Sequence, residues 1–489
     1  MATRKAAATK KKAARKKTSP PPGPPTPPPS SSSRMPGKGE VRIRMYRQGL
    51  GDCFLMTFDT GKHILIDCGL LAGTPSGPAK IREVAQHVHD CTAGHIHALV
   101  VTHEHWDHVS GFTDAREIFE SLTIGETWIA WTEDPSQDIV MERRKANAIR
   151  LTALANAVSR LGLSGNPDDV TRAGEISQTM NFLGGFDPSR ILGAFSQKTD
   201  EAMSWATNEK RNPKYLSPGD MVKRDWLPGL CVRALGPPKD QKALKKMDGK
   251  IGTDMYGMAM NGEELGFASA VGVPLDQTSR EWLPFDRSLQ WNNEAKWLAN
   301  FDSGFQEQYR KDRSRRVDTE WLNAASDLAL QLDNAINNTS LVLAFEFGDG
   351  GDVLLFVGDA QIGNWLSWAE VSEDLLKRTI FYKVGHHGSH NATLKEHGLE
   401  SMTNKKLVAA IPVDELFAKA KKPIPWMMPA DKLYDTLQQR TKGRILRADR
   451  EFPKGAARPK TLSATEWQQF TSSVEVDRLF IDFFCSPRK

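Results

Sequence analysis

Ala98-Leu-Val-Val-Thr-His-Glu-His-Trp-Asp-His108 is the stretch that decides the fold. An apolar run, Leu99–Val101, leads directly into three histidines and one aspartate within six positions. So dense a set of imidazoles and a carboxylate reads as metal ligands rather than as a polar core cluster. His103 and His105 are two apart, so on an extended segment they point the same way. Asp107 and His108 follow a turn of the chain and aim at a second point.

Working outward, other chemistry-bearing residues also sit where predicted strands run out. Ile64-Leu-Ile66 ends in Asp67, and a carboxylate at the end of a buried strand is costly unless it faces a polar site. Val353–Val357 ends in Gly358-Asp359, and Ile380–Val384 ends in Gly385-His-His-Gly-Ser-His390. Strand ends on one sheet edge converge on a crevice, the usual place for an active site in layered α/β folds. Imidazole and carboxylate ligands suit Zn, Mn or Fe, and the mixture favours one or two ions of a borderline metal, Zn with Mn as the alternative, rather than Ca or Mg.

The remaining segments follow their periodicity. Arg42–Tyr46 alternates polar and apolar residues. Cys53–Phe58 and His63–Asp67 flank the turn signal Asp59-Thr-Gly-Lys62. A two-residue Thr60-Gly61 loop would set Cys53 opposite Cys68. Pro78–Asp90 has helical spacing, and His87, His89, His95 and His97 on or beside it read as solvent-facing. Phe112–Leu122, Asp138–Leu161, a helix capped by Asp318 and running to Ile336, and Lys432–Gln439 read as helices. Further strands are expected at 127–131, within 214–235, and at 341–347, 407–412, 444–447 and 479–484.

The chain has 489 residues and 13 tryptophans, enough for a substantial core. Its net charge of +5 is uneven: residues 1–39 hold ten Lys/Arg and no acid, leaving 55 basic against 60 acidic groups beyond them. Residues 1–39 therefore read as a disordered basic and Pro/Ser-rich tail. Nucleic acid is the partner class such a tail allows, and a solubilising leader is the plainer use. Five scattered cysteines without a CxxC argue against a disulfide scaffold and against a thiolate zinc site. No signal-peptide core and no apolar run of about 18 residues is present, so a cytoplasmic protein without a membrane span is expected. Residues 239–317 carry basic clusters (Lys242–Lys246, Arg310–Arg316) interleaved with Trp282, Trp291 and Trp297, readable as a nucleic-acid surface or as a solvated insertion.

The His103-Glu-His-Trp-Asp-His108 string resembles the HxHxDH signature of the metallo-β-lactamase superfamily. Asp67 in Ile-Leu-Ile-Asp-Cys-Gly, Gly358-Asp359 and His386-His-Gly-Ser389 resemble its other motifs. Gly49-Leu-Gly-Asp-Cys, Asn337-Asn-Thr-Ser-Leu-Val-Leu343 and Lys383-Val-Gly-His-His-Gly-Ser389 resemble the ComEC-type branch, the domain attached to bacterial DNA-uptake channels. The resemblance covers about 41–130, 213–240 and 335–485. It implies an αββα sandwich of two mixed sheets over residues 40–489, with insertions at about 131–212 and 241–334. By the same resemblance His103 and His105 hold a first metal and Asp107 and His108 a second. Asp359 bridges them, and Asp67 is a ligand or orients one. Either His386 or His387 joins the second site, with His386 favoured as nearer the strand end.

One departure stands out. No histidine occurs from 109 to 385, so the third histidine usual for the first metal is missing. Asn337 or Asn338, just before the equivalent strand, is the candidate to fill or border that position. The chain also lacks the GHTPGH-like string of thioester- and lactone-cleaving branches. His105 stands where the di-iron branch needs Glu. The expected function is a hydrolase that uses metal-bound hydroxide on a phosphodiester, with nucleic acid as candidate substrate. Asp107 belongs to its catalytic set, and His386, His387 or His390 protonates the leaving group or holds the phosphate. The alternatives are hydrolysis of another small ester or phosphoester, and a non-catalytic binding module.

Overall fold

The computed structural model describes residues 34–184, 194–244, 262–273, 298–311 and 324–489, with Lys296 and Leu322. Among these, the apolar runs of the sequence form two mixed sheets. The first has eight strands in the order β14 (Val474–Val476), β15 (Phe480–Cys485), β1 (Val41–Tyr46), β2 (Phe54–Phe58), β3 (His63–Ile66), β4 (His95–Val101), β5 (Thr123–Ala130) and β6 (Pro213–Leu216). The second has seven, in the order β13 (Ile445–Arg447), β12 (Val408–Ile411), β11 (Thr379–Lys383), β10 (Val353–Phe356), β9 (Val342–Phe347), β8 (Leu230–Gly236) and β7 (Met221–Val222). From β3 to β6 and from β10 to β13 neighbouring strands run parallel. The carboxyl ends of these parallel strands carry the residues singled out above.

Alternate residues of each strand face the other sheet and build a shared core: Phe54 meets Phe356 edge-on at 5.6 Å, and Phe381 stacks on Phe483 at 5.9 Å. Helices cover both outer faces, so the architecture is the αββα sandwich. The Gly77–Cys91 helix packs Ile81, Val84 and Val88 on Leu65 and Leu99 of the first sheet. On the second sheet, Trp365, Trp368 and Leu437 pack against Leu355 and Tyr382. No described helix is long and apolar enough to cross a membrane.

The segments read as insertions contribute helices that pack on one another. Asp138–Leu163, Pro167–Met180, Gly262–Ala270 and Ala324–Asn337 share one apolar cluster, and Arg150 pairs with Glu264 across it at 2.9 Å. The Ala194–Ala206 helix instead joins the outer layer of the first sheet, where Trp205 stacks on Phe112 at 5.0 Å. The expected Asp318 cap, Trp282, Trp291, Trp297 and most of the two basic clusters lie outside the described residues, as does the tail through residue 33.

Three expectations need correction: the β2–β3 register, the placement of His87 and the continuity of the Phe112–Leu122 helix. Both faces of β1 are buried, Arg42 and Arg44 included, and Arg44 grips Asp482 of β15 through two bonds of 2.7 and 2.6 Å. The β2–β3 hairpin closes through three residues, Asp59-Thr60-Gly61, with Gly61 at φ 72 and Phe58 bonded to Lys62. The register therefore pairs Phe54 with Ile66, one residue off the expected alignment. Cys53 and Cys68 are still adjacent buried free thiols. His87 is buried, not solvent-facing: its Nδ1 lies 3.0 Å from the Tyr46 hydroxyl, and its ring packs on Phe480. The Phe112–Leu122 helix is also split, at Ala115.

Candidate metal centre

The site forms where β3, β4, β10, β11 and β12 run out. Backbone bonds stitch three loops together there. Asp52 N–H donates to the Asp107 carbonyl, Cys68 N–H to the His108 carbonyl, and Gly69 N–H to the Asp52 carbonyl, each at 2.9 Å. Gly69 lies flat on the Asp107–His108 peptide, where a Cβ would fall 2.2 Å from the Asp107 carbonyl carbon and 2.3 Å from His108 N. Gly69→Ala is therefore expected to push that turn aside. It should cost about 1–3 kcal/mol of stability, the usual range for overpacking, and lower metal affinity. Denaturant unfolding and metal titration of the purified variant check this; unchanged values for both would refute it.

Asp67, at φ 55, turns back onto the neighbouring strand end. Its Oδ1 accepts from Thr102 N–H at 2.8 Å, and its Oδ2 accepts from the Thr102 hydroxyl at 2.7 Å and lies 2.8 Å from His108 Nδ1. Asp67 thus orients His108 and leaves Nε2 facing the centre. His387 is fixed in the same way: its Nδ1 lies 2.8 Å from the Pro412 carbonyl at the end of β12, so Nε2 faces inward, 2.7 Å from Asp107 Oδ2. Asp359 Oδ2 lies 3.2 Å from His108 Nε2 and 3.7 Å from His387 Nε2. Its Oδ1 accepts from Lys383 Nζ and from His386 N–H, each at 3.0 Å. Its own N–H donates to Ser340 Oγ at 3.0 Å.

Asp52, His108, Asp359 and His387 each bring one ligand atom within 4.8 Å of the others, and all four are buried. The preference for His386 over His387 is thereby reversed. Tight φ-positive geometry at both residues (41 and 51) swings His387, not His386, onto Asp107. His386 points to the other side of the pocket, with Nδ1 3.0 Å from both Gln361 Nε2 and Ser389 Oγ and its ring against Phe182. His390 is exposed and outside the buried cluster. Asn338 buttresses Asn364 through its side-chain and backbone oxygens, whereas Asn337 turns inward.

His103 and His105 lie beside this group, with ring centroids 4.8 Å apart, and His103 is 4.2 Å from His108. Two residues given no role by their motifs complete the electrostatics. Lys383, fully buried, donates to the Gly358 carbonyl at 2.7 Å and pairs with Asp359 and Asp52. Burial works against its charge, but Asp52 and Asp359 outweigh burial and hold it above the usual lysine range. Asp52 and Lys383 sit inside the Gly49–Cys53 and Lys383–Ser389 strings, and that placement is the signal the sequence carries for them.

The pocket fits divalent cations. His103 Nε2, both His105 nitrogens, Asp107 Oδ1, His108 Nε2, Asp359 Oδ2 and His386 Nε2 are buried without a hydrogen-bond partner. Buried polar atoms are otherwise nearly always paired, so convergent unpartnered polar atoms, with one lone pair on each neutral imidazole, mark a ligand position. The field agrees. Burial opposes a charge on His108, yet Asp359, Asp52, Asp67 and Asp107 push its pKa well above the normal histidine value. Among the described residues, these four carboxylates are answered by one lysine, Lys383, which leaves the pocket short of positive charge. Burial lowers His105 and His386 to about 4, so both imidazoles are neutral at pH 7, and for His105 that is the form that binds metal.

Residues 46–126 match the family model of the metallo-beta-lactamase superfamily. The matched segment carries Asp67 and the His103–His108 string, and the superfamily implies a metal-dependent hydrolase. No curated protein matches the chain. The second half of the centre, Asp359, Lys383 and His386–His387, lies outside the matched segment and is joined to it by the fold.

Proposed function

We propose that the chain is a metal-dependent hydrolase of phosphodiesters in nucleic acid, of the ComEC type. The observation that carries the metal chemistry is the convergence of unpartnered imidazole and carboxylate atoms from both sheets on one buried pocket. When bound, the metal polarises a phosphoryl oxygen and acidifies water. The chain's own residues do the rest. Asp67 and the Pro412 carbonyl hold His108 and His387 in the tautomer that faces the centre, and Lys383 fixes the rotamer of Asp359. Gln361 Nε2 donates to His386 Nδ1, which leaves the ring proton on Nε2, aimed at a phosphate oxygen or leaving group.

The nucleic-acid part of the reading is supported by the branch motifs and by the rim. Phe182 lies against His105 and His386 and stacks on the partly buried Trp426 at 5.1 Å, with Lys421 Nζ 5.1 Å from the Trp426 ring. An aromatic face with a cation beside it suits a stacked base next to its phosphate. The test compares single-stranded DNA, RNA and bis(p-nitrophenyl) phosphate with Mn or Zn. Cleavage of a nucleic acid is expected, with Trp426→Ala raising its KM by about tenfold, as loss of one stacking contact predicts. Turnover confined to simple esters, or equal KM values in both proteins, would overturn the substrate assignment.

A further inference from the structure

The His103–His105 half of the centre lacks the third histidine that the resemblance leads one to expect, and the fold brings something else there. The Ala324–Asn337 helix, part of the second inserted stretch, ends immediately before β9, which pairs with β10. Asp333 and Asn337 are one turn apart on this helix and share a face. Asp333 Oδ1 lies 3.8 Å from His105 Nε2. The residue is only 7% exposed, and Oδ1 has no hydrogen-bond partner. Oδ2 is occupied: Asn337 Nδ2 donates to it at 3.2 Å, which turns Oδ1 toward the histidines. Asn337 Oδ1, fully buried, is also unpartnered.

We propose that Asp333 is the third protein ligand of the first metal, with His103 and His105, and that Asn337 holds its carboxylate in place. This inference rests on the metal-centre reading above. A structural ion pair is the competing explanation, but among the described residues no lysine or arginine reaches ion-pair distance of Asp333. The other charges that act on it are the carboxylates Asp107 and Asp359. A buried carboxylate among like charges is tolerated when a cation sits between them. Two imidazoles and a carboxylate make a harder ligand set than three imidazoles, which moves the first site from zinc toward manganese. The inserted stretch then supplies a metal ligand as well as a wall.

The experiment is metal binding by the full chain, measured by equilibrium dialysis and elemental analysis with Mn and with Zn, together with thermal unfolding with and without metal. The wild type is expected to hold two ions. Asp333→Ala and Asp333→Asn are expected to hold one tightly and to bind the other at least tenfold more weakly, the scale seen when a metal site loses a supporting group. Metal-free Asp333→Asn should unfold at or above the wild-type temperature, because a neutral amide of the same shape replaces a carboxyl that burial, Asp107 and Asp359 all disfavour as an anion, and metal should raise its unfolding temperature less. Two ions held with unchanged affinity by both variants would overturn the Asp333 assignment and leave the metal centre standing. A metal-free Asp333→Asn that unfolds well below the wild type while binding metal normally would show a structural role instead. A wild type that holds no ion would overturn the metal centre itself, and Asp333 with it.

Discussion

Asp359→Ala is expected to remove hydrolysis, by at least about a thousandfold in kcat, while the sandwich stays folded. Asp359 Oδ2 faces both His108 and His387, as Asp107 Oδ2 does from the first sheet, so its loss removes the second sheet's carboxylate from the pocket. Burial opposes its ionisation, but His108, Lys383 and His387 outweigh burial and hold it well below the carboxylate range, so it is charged at any working pH. The fold survives because the cation left behind is not orphaned: Lys383 keeps the Asp52 carboxylate and the Gly358 carbonyl. Asp107→Ala should behave alike, since the backbone carbonyl that Asp52 N–H uses is unchanged. The measurement is turnover by purified variants of known metal content, with circular dichroism as the check on folding. Undiminished turnover in either variant sinks the mechanism.

Lys383→Met is expected to destabilise the metal-free protein by about 3–5 kcal/mol, the cost of removing one partner of a buried ion pair. Methionine fills a similar volume, so the loss is electrostatic: Asp52 and Asp359 are left facing each other in a buried pocket. Asp52→Asn added to Lys383→Met removes one of those charges, and the double variant should recover a large part of the loss. Denaturant unfolding of both variants and of Asp52→Asn alone closes the cycle. Additive costs, or a single-variant loss below about 1 kcal/mol, would mean that Lys383 does not hold the pocket together.

Much of this protein was legible residue by residue. Strand, turn and ligand order follow from local chemistry at Leu99–His108, Ile64–Asp67 and Val353–Asp359. The Ser463–Glu466 capping box marks the start of the Ala464–Ser472 helix by equally local chemistry. Asp333 was not legible in that way. On the sequence it is one acid on the polar side of an amphipathic helix, the commonest place for a solvated charge. Nothing local separates it from the exposed acids elsewhere in the chain.

The sequence by itself determined the αββα class, the His103–His108 string and the convergence of Asp67, Asp359 and His386–His387 on one edge. Side-chain direction along a strand and the turn after it are set by covalent geometry over a few residues. Only the tertiary structure decided that His387 rather than His386 meets Asp107, that Lys383 answers Asp52, and that the Ala324–Asn337 helix sets Asp333 beside His105. Each of those depends on how two segments far apart in the chain pack across a shared buried face. Packing registers to within an ångström are collective outcomes that no single segment encodes.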